Sequence, residues 1–317
     1  MVWVPFGAPR HRSDATDFGR NAPKAKSVTE FRDDPERGAW MSEKGAAFRA
    51  LHEEEGAFII PNPWDIGSAR ILASMGFRAL ATTSAGMAFS LGVEEGRVSR
   101  DDTLKHCRAI VAATPLPVSA DLEKGFGDSP ESVAETIRAA ADIGLAGCSI
   151  EDHTNRRDDP IFEFGLAVER IAAAAQTCRA LPHDFVLTAR CENFLWGRPD
   201  LDDTIRRLQA FETAGADVLY APGLHDLGTI RTVCNALVKP VNVVMGMPGA
   251  TFGMPQLAEA GVKRISVGSA LARLAFGSIV NAAREMVSEG TFRFSDNAIG
   301  FAELEAFFVP HRDELRR

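Results

Sequence analysis

Three apolar segments of the sequence each end in charged residues, and chemistry is expected at these ends. The first segment ends in Asp121 and Glu123, the second in Glu151, and the third in Arg190 and Glu192. Side chains of an extended strand alternate between its two faces, so residues two apart lie on the same face. The sequence therefore predicts that three strands deliver carboxylates and one arginine to a common end.

These carboxylates favour the binding of a hard divalent cation. Carboxylates held within a few ångströms of one another repel, and their pKa values rise unless a cation neutralises them. Asp121, Glu123 and Glu151 offer oxygen ligands without histidine or thiolate, a set typical of Mg²⁺ or Mn²⁺ that keeps several waters. Solvated loop acids are the alternative, although three of them at inward-facing positions of neighbouring strands favour the metal site.

Arg190 is the candidate group for binding a substrate carboxylate beside this metal. Its planar guanidinium can donate two parallel hydrogen bonds to a carboxylate. The alternative is a structural ion pair with an acid at the same end of the strands, because a buried arginine needs such a partner. Cys191 lies out of phase with Arg190 and is interpreted as a packing residue.

Two loops add further candidates. Residues 82–86, Thr-Thr-Ser-Ala-Gly, offer hydroxyls and backbone N–H groups to an anion, although small polar residues after a strand are also ordinary turn residues. Residues 153–159 form a long, charged loop that is a candidate lid, with a solvated loop as the alternative. Their position in this loop makes His153 and Asn155 the candidates for proton transfer.

Strands alternate with helices from residue 57 onward, which predicts a parallel sheet. Eight such units within about 225 residues match a closed (β/α)8 barrel, in which the carboxyl ends of the strands meet at one mouth. An open doubly wound sheet is the alternative, but no GxGxxG follows the first strand. The predicted strands are residues 57–61, 79–83, 117–121, 147–151, 185–190, 217–220, 241–244 and 264–267.

The chain divides into three parts. Residues 1–40 are polar and show no sustained periodicity, which predicts an irregular arm, either a loosely ordered tail or an arm that clasps another subunit. Residues 41–290 form the barrel domain, and residues 291–317 form a helical extension. After the second strand, the stretch that contains Gly86 and Gly92 is predicted to be a loop.

Composition argues against some classes of function. A net charge of −8 and a pI near 5.5 do not favour a nucleic-acid surface, so a small-molecule partner is expected. The five cysteines are widely spaced and form no zinc-binding pattern, which is typical of reduced thiols in a cytoplasmic protein. No apolar run approaches the length of a membrane span, and no signal peptide is predicted.

Five motifs resemble, in order and spacing, those of the isocitrate lyase/phosphoenolpyruvate mutase superfamily, over about residues 45–290. They are NPWDIGSA at 62–69, TSAG at 83–86 with SLG at 90–92, DxExGxG at 121–127, IED at 150–152 and ARxE at 189–192. The resemblance implies a (β/α)8 barrel that binds Mg²⁺ and a 2-oxo acid or its enolate. It also implies homo-oligomers, commonly tetramers, in which the last barrel helix, here residues 269–289, is exchanged between subunits.

The resemblance also implies roles for particular residues. The superfamily's metal-site acids fall on Asp121, Glu123 and Glu151, with Asp at the second of these positions in many members. Glu95 matches an acid after the second strand, and Arg190 matches the arginine that grips the substrate carboxylate and oxo group. The backbone-rich cradle for the oxo acid falls on Thr83, Ser84 and Ala85.

Departures from the superfamily pattern reduce the number of substrates and reactions that are expected. The isocitrate and methylisocitrate lyases carry a Lys-Lys-Cys-Gly-His stretch in the fourth loop. The corresponding residues 153–157 of this chain include no cysteine. Residues 244–249 also lack the polar side chains with which those lyases hold extra substrate carboxylates. A tricarboxylate substrate is therefore not expected. Of the mutase signature, Asn155 can replace the gating asparagine, but the lysine is missing and Pro222 stands where a histidine is expected.

These observations together predict a Mg²⁺- or Mn²⁺-dependent lyase or decarboxylase that cleaves a C–C bond of a small 2-oxo or 2-hydroxy acid through an enolate. A P–C bond enzyme of the phosphoenolpyruvate mutase type is one alternative. A non-catalytic relative that binds oxo acids is another, because the loop residues that complete the chemistry in known branches are absent.

Overall fold

The computed structural model describes residues 35–249 and 251–309 of the chain. Most of the predicted N-terminal arm, residues 1–34, and the end of the predicted extension, residues 310–317, lie outside this range. Residues 35–40, also predicted to be irregular, instead open helix α1 (Pro35–Glu53). A proline at the first helical position and Glu36 in the first turn both favour a helix start there.

Eight parallel strands form one sheet in the order β1-β8-β7-β6-β5-β4-β3-β2. The two outer strands also meet, because the Ala81 N–H donates to the Pro61 carbonyl at 3.1 Å. The sheet is therefore a nearly closed barrel, and the predicted (β/α)8 fold is confirmed. The strands are β1 (Phe58–Ile60), β2 (Leu80–Ala81), β3 (Val118–Asp121), β4 (Gly147–Glu151), β5 (Val186–Arg190), β6 (Val218–Tyr220), β7 (Val241–Val244) and β8 (Arg264–Ser266).

A helical layer surrounds the barrel, and most of its helices connect consecutive strands. A short 3₁₀ helix (Arg293–Asn297) precedes the last helix. After α1, the helices are α2 (Ile66–Ser74), α3 (Ser84–Ser90), α4 (Arg100–Ala113), α5 (Pro130–Asp142), α6 (Phe164–Arg179), α7 (Leu201–Ala214), α8 (Leu227–Asn235), α9 (Met254–Glu259), α10 (Ala270–Glu289) and α11 (Phe301–Ala306).

Helix α3 corrects the prediction of a loop after the second strand. Thr83 caps it, because the Thr83 hydroxyl accepts a hydrogen bond from the Gly86 N–H at 3.2 Å. A side chain at Gly86 would place its Cβ 2.9 Å from the Trp64 Cβ, so this glycine permits close packing of a helix. The glycine that suggested a loop is thus explained by the space around it.

Side-chain caps fix where the helices after the strands begin. Ser99, Ser129, Asp200 and Asp226 each accept a hydrogen bond from the backbone N–H three residues later. Such a cap stabilises a helix by about 1 kcal/mol, because it satisfies an N–H that has no partner within the helix. The strand ends are therefore followed by loops of defined length, which positions the residues of the mouth.

The apolar core lies between the barrel and the helices. Outward-facing strand residues such as Leu187 and Ile150 are fully buried against helix residues such as Ile137, Phe211 and Val233. Each apolar side chain of this size contributes roughly 1.5–3 kcal/mol when it is removed from water. A second cluster, in which Phe48 and Leu51 of α1 meet Ile60, Val186 and Val218, closes the amino-terminal end of the barrel.

The barrel interior is polar where a barrel of this class is usually filled by branched apolar residues. Its buried residues at successive levels include Ser119, Thr188, Asn242, Arg264 and Ser266. Such groups need hydrogen-bond partners inside the protein or from water, since an unpaired buried polar group is costly. This interior therefore forms a hydrogen-bonded network and not a second apolar core.

Helix α10 differs from the other barrel helices in its exposure. Ala272 is its one buried residue, whereas Leu274, Ile279 and Val287 are 69%, 63% and 89% exposed. Among the described residues, no helix combines the length and apolar character that would let it cross a lipid bilayer. The apolar side chains of α10 are therefore largely exposed on the single chain that the structure describes.

A glycine at the start of β4 gives the first testable prediction. A Cβ at Gly147 would lie 2.5 Å from the Val186 carbonyl oxygen and 3.0 Å from the Phe48 ring. We expect Gly147→Ala to lower the free energy of unfolding, measured with urea, by about 1–3 kcal/mol, because backbone must shift. The control is Gly38→Ala in α1, where a Cβ meets no described atom within 4 Å and alanine favours the helix. Equal stability of Gly147→Ala and wild type would contradict this packing.

Candidate functional site

Asp121 ends β3 and is tied to the start of α3. Its Oδ2 accepts hydrogen bonds from the Ser84 hydroxyl at 2.8 Å and from the Ser84 N–H at 3.2 Å. Its own N–H donates to the Thr82 hydroxyl at 3.0 Å. The carboxylate is therefore oriented by the loop after β2, and it faces the barrel mouth as predicted.

Glu95 approaches the same hydroxyl from the loop before α4. The Ser84 Oγ lies 3.0 Å from Glu95 Oε1, but one hydroxyl can donate to only one of the two carboxyl groups. Although the residue remains exposed, burial of its carboxyl end and then the charge of Asp121 raise the pKa of Glu95. Ser84 thus lies between Asp121 and Glu95, and a proton on Glu95 would relieve the repulsion between these two carboxyl groups.

The alternation of side chains along a strand does not explain the position of Glu123 in the site. β3 ends at Asp121, and Glu123 has φ +50°, a left-handed conformation that costs a non-glycine residue roughly 1–2 kcal/mol. Its carbonyl accepts from the Glu151 N–H at 3.0 Å, which fixes the loop against β4. Burial, followed by the charges of Asp121 and Glu151, raises the pKa of Glu123 to about 8.

Glu151 ends β4 opposite Arg190, its register partner on β5. Its Oε2 lies 3.5 Å from Arg190 Nη1, which is within ion-pair distance. Burial raises its pKa to about 7, and the attraction of Arg190 offsets only part of this effect. The carboxyl groups of Glu95, Asp121, Glu123 and Glu151 therefore interact with one another electrostatically, and the Arg190 guanidinium lies beside them.

Arg190 forms the ion pairs that the structural interpretation of its role expects, and its binding of a substrate carboxylate stays a prediction. Its Nε donates to the carboxylate of Glu192, and its Nη1 lies 3.9 Å from Asp121 Oδ1. The guanidinium carbon lies 5.1 Å from the centre of the Tyr220 ring, a cation–π distance. Glu192 and Tyr220 thus hold the guanidinium from one side, and its terminal nitrogens face the mouth.

Glu192 is itself held by a buried network behind the mouth. Its N–H donates to Asp152 Oδ1 at 2.8 Å, and Asp152 Oδ2 lies 3.2 Å from Arg207 Nη1. Arg207 also pairs with Asp203 at 2.8 Å. Burial raises the pKa of Glu192 to about 7. This network anchors the end of β5 to α7, which fixes the orientation of Arg190.

His153 and Asn155 lie beside the acids in the loop after β4. The His153 ring stacks on Trp196 at 3.8 Å with an interplanar angle of 13°, and its Nδ1 lies 3.7 Å from Glu151 Oε1. Its buried Nε2 has no hydrogen-bond partner among the described residues. Asn155 lowers the pKa of Glu123 and raises that of His153, so its amide lies near both side chains. Burial has the largest effect on His153 and lowers the pKa of its imidazole.

The predicted oxo-acid cradle lies at the start of α3. The Thr83 hydroxyl caps this helix, and the Ser84 N–H and hydroxyl point to Asp121. Ala85 is buried beside them. These groups are adjacent to the acids and already bound within the protein, so their contact with a substrate stays a prediction.

The sequence analysis placed Glu192 at the common end of the strands without giving it a role, and it did not assign Trp196 or Tyr220 to the site. Tyr220 could have been found, because it follows the alternation of its strand toward the mouth. Trp196 lies in a turn after β5 and gives no sequence signal of its stacking on His153. Cys191 is fully buried, and burial raises its thiol pKa well above the usual value, as expected of a packing residue.

The acids fit a hydrated divalent cation better than a closed cage. No three His, Cys, Asp or Glu side chains within residues 35–249 and 251–309 converge closely enough to ligate one ion directly. Nevertheless Asp121, Glu123, Glu151 and Glu95 supply oxygen donors whose mutual repulsion a cation would relieve. Mg²⁺ commonly keeps several waters and uses few protein ligands, so the residues present fit such an ion.

A parallel eight-stranded barrel with acids and an arginine at the carboxyl ends of its strands has the architecture of a (β/α)8 enzyme. The chain matches the phosphoenolpyruvate phosphomutase family over residues 48–287. It belongs to this family, within the isocitrate lyase/phosphoenolpyruvate mutase superfamily, whose members include carbon–carbon lyases and mutases.

Two curated relatives illustrate the range of the family. An uncharacterised protein of Mycobacterium tuberculosis is 31% identical over 269 residues, which cover 84% of this chain and 98% of the relative. The 2-methylisocitrate lyase of Escherichia coli K12 is 31% identical over 215 residues, or 65% of this chain and 71% of that enzyme.

Solved structures share the fold. A Burkholderia cenocepacia J2315 protein, described as a candidate lyase/mutase, is 56% identical with a TM-score of 0.84, covering 86% of this chain and 98% of that one. A 2,3-dimethylmalate lyase is 26% identical with a TM-score of 0.74, covering 87% and 96%. The barrel and its order of elements are therefore those of the superfamily.

The raised pKa values predict how stability depends on pH. In the unfolded chain, carboxyls of this kind ionise near pH 4.5, whereas in the folded protein Glu123 has a pKa of about 8, and Glu151 and Glu192 about 7. Between these values the folded state binds more protons than the unfolded state. We therefore expect the free energy of unfolding of metal-free protein to fall as pH rises from about 4.5 to 8.

Thermal unfolding in a chelator at about pH 6 and about pH 8.5 checks this expectation, with the lower Tm at the higher pH. Millimolar Mg²⁺ should raise Tm more at the higher pH, where the acids are ionised. Glu123→Gln should flatten the profile, and the exposed Glu135→Gln should leave it unchanged. A metal-free Tm that rises over this range would show that the carboxyls do not repel as described.

Proposed function

We propose that the chain is a Mg²⁺- or Mn²⁺-dependent lyase that cleaves a C–C bond of a small 2-oxo or 2-hydroxy acid through an enolate. The supporting observation is that Asp121 and Glu151 face Arg190 Nη1 at 3.9 and 3.5 Å, with Glu123 close enough to both acids for their charges to raise its pKa. Relatives named as 2-methylisocitrate lyase and 2,3-dimethylmalate lyase favour this class of reaction.

Different residues of the mouth are proposed to bind the cation and the substrate carboxylate. Asp121, Glu123 and Glu151 would hold the cation, partly through water, and the bound cation supplies positive charge where the enolate oxygen develops. The Nη groups of Arg190, of which Nη1 lies 3.5 Å from Glu151 Oε2, would pair with the substrate carboxylate in a forked arrangement. Glu192 keeps the guanidinium in this orientation, because it occupies the Nε side.

His153 is the proposed proton carrier of this reaction. Its Nε2 has no hydrogen-bond partner among the described residues, so this nitrogen is available to accept a proton. Stacking on Trp196 fixes the plane of the ring, and Asn155 lies near both this ring and Glu123. The proposed substrate is small, because the loop after β7 offers apolar side chains where extra carboxylates would need polar ones.

A P–C bond reaction is the second candidate, because the family that matches is described as phosphoenolpyruvate phosphomutase. The missing lysine and Pro222 at the position of a histidine argue against it. Phosphorus NMR of the enzyme with phosphonopyruvate separates the two reactions, since only the mutase converts a phosphonate into a phosphate ester.

Substitution of Arg190 and Asp121 tests the proposed reaction. We expect Arg190→Lys and Asp121→Asn each to lower kcat/KM by roughly 10²–10³, because the forked contact or the cation's charge is lost. The assay is release of a 2-oxo acid or CO₂ from oxaloacetate and methyl-branched malates, with and without chelator. The exposed Arg206→Gln is the matched control and should keep wild-type turnover. Near wild-type activity of either site variant would overturn the assignment.

We further propose that a second copy of the chain covers helix α10, as in an exchanged barrel helix. The support is its large number of exposed apolar side chains, which include Leu274, Ile279, Val280 and Val287. Apolar side chains exposed around a helix on a monomer would be unfavourable in water, and they are typical of an interface between subunits. A homo-oligomer would bury it.

Light scattering tests this arrangement. The wild-type protein should have a mass of at least twice the 34.2 kDa of one chain. Leu274→Asp combined with Val287→Asp should reduce the mass, because two charges would have to be buried at the interface. The control is Val238→Asp, since Val238 is 93% exposed outside this helix. A monomeric wild-type protein would refute the proposal.

A further inference from the structure

Arg264 is a buried guanidinium in the amino-terminal half of the barrel, away from the acids of the mouth. It opens β8 and is 5% exposed. Its Nε donates to Asn242 Oδ1 at 2.9 Å, and its Nη2 donates to the Thr188 hydroxyl at 2.8 Å. Its Nη1 lies 3.3 Å from His52 Nε2. Three hydrogen bonds therefore hold the side chain inside the barrel.

Each of these partners is uncharged. The amide of Asn242 and the hydroxyl of Thr188 carry no charge, and burial, together with the nearby Arg264, lowers the pKa of His52 to about 3. His52 Nδ1 lies 2.8 Å from the Phe48 carbonyl, so Nδ1 carries the hydrogen and Nε2 accepts from Arg264. In the described part of the chain, no carboxylate forms an ion pair with Arg264.

The other buried arginines are better compensated. Arg190 and Arg207 pair with carboxylates, and Arg170 donates to the carbonyls of Lys124, Gly127 and Asp128. Arg264 stays protonated at neutral pH, since burial lowers its pKa only to about 10. A buried charge without a counter-ion costs several kcal/mol, which three neutral hydrogen bonds offset only in part.

The unused donors of Arg264 have space beside them. A guanidinium has five N–H groups, and the three contacts leave two without an acceptor among the described residues. Arg264 lines a cavity of about 60 Å³ that extends to Thr83 and Arg190 at the mouth of the barrel. Hydroxyl and amide groups line the same cavity: Ser119, Ser149, Tyr220, Asn242 and Ser266.

We propose that this cavity is a binding site for a small monovalent anion of halide size, which neutralises Arg264. A cavity of this volume accommodates one halide together with water. The lining hydroxyls can donate to the anion beside the guanidinium. Asp121 also lines the cavity, but Ser84 holds its Oδ2 and Arg190 faces its Oδ1. Because Arg190 lines the same cavity, the anion would lie at the inner end of the pocket that carries the proposed lyase reaction, and its binding can be observed without any lyase activity.

Bromide is the probe for this site, because it scatters anomalously. Crystals of the full chain, grown without chloride and soaked in sodium bromide, should show an anomalous peak in contact with the Arg264 guanidinium. In solution, chloride or bromide should raise Tm by about 2–4 °C over gluconate at equal ionic strength, since binding stabilises the folded state and gluconate is too large for the cavity.

Two variants separate this site from general salt effects. Arg264→Met should lose the difference between halide and gluconate, because the charge that attracts the anion is gone. Arg170→Gln also removes a buried arginine, but one outside the cavity, and it should keep the difference. Absence of a bromide peak at Arg264 in wild-type crystals would overturn the proposal, whether or not the variants fold. An equal halide effect in wild type and Arg264→Met would also overturn it.

Discussion

The mutual repulsion of carboxylates at the barrel mouth is the constraint on which the site depends. Asp121, Glu123 and Glu151 lie at or just after adjacent strand ends, and burial there raises the pKa values of Glu123 and Glu151. Parallel pairing sets this arrangement, because Glu151 lies in register with Arg190 and Asp121 with Ser149. One guanidinium does not neutralise this many acids. A bound cation would offset the negative charge that remains at the mouth.

The scaffold holds these groups together with contacts that never touch the substrate. The pair of Asp152 and Arg207 fixes the backbone of Glu192, and Arg170 binds carbonyls of the loop that carries Glu123. The repulsion among the carboxylates makes folding less favourable. Burial of the apolar layer between strands and helices offsets this free-energy cost. Rigid support of this kind keeps reactive groups at fixed separations, which is what a preorganised site needs.

Sequence alone predicted the parts of the site that obey strand periodicity. Asp121, Glu151 and Arg190 lie within strands, so alternation was enough to place them on the inner face. Glu123 reaches the mouth through a left-handed backbone conformation, which depends on contacts of its loop with β4. Helix α3 was missed because Gly86 reads as a loop residue, whereas its role is to let Trp64 approach. Such contacts form between distant parts of the chain and leave no local pattern.

The polar interior connects the two ends of the barrel but does not cancel their charges. Thr188, which accepts from Arg264, lies two residues before Arg190 on β5, a rise of about 6–7 Å along the strand. Neutral hydroxyls and amides fill this layer, and hydrogen bonds between neutral groups reorient dipoles without moving net charge. The excess of acids at the mouth therefore does not serve as the counter-ion of Arg264, and Arg264 does not relieve the repulsion among the acids. The proposed cation at the mouth and the proposed anion beneath it would therefore neutralise different groups, the acids in one case and Arg264 in the other.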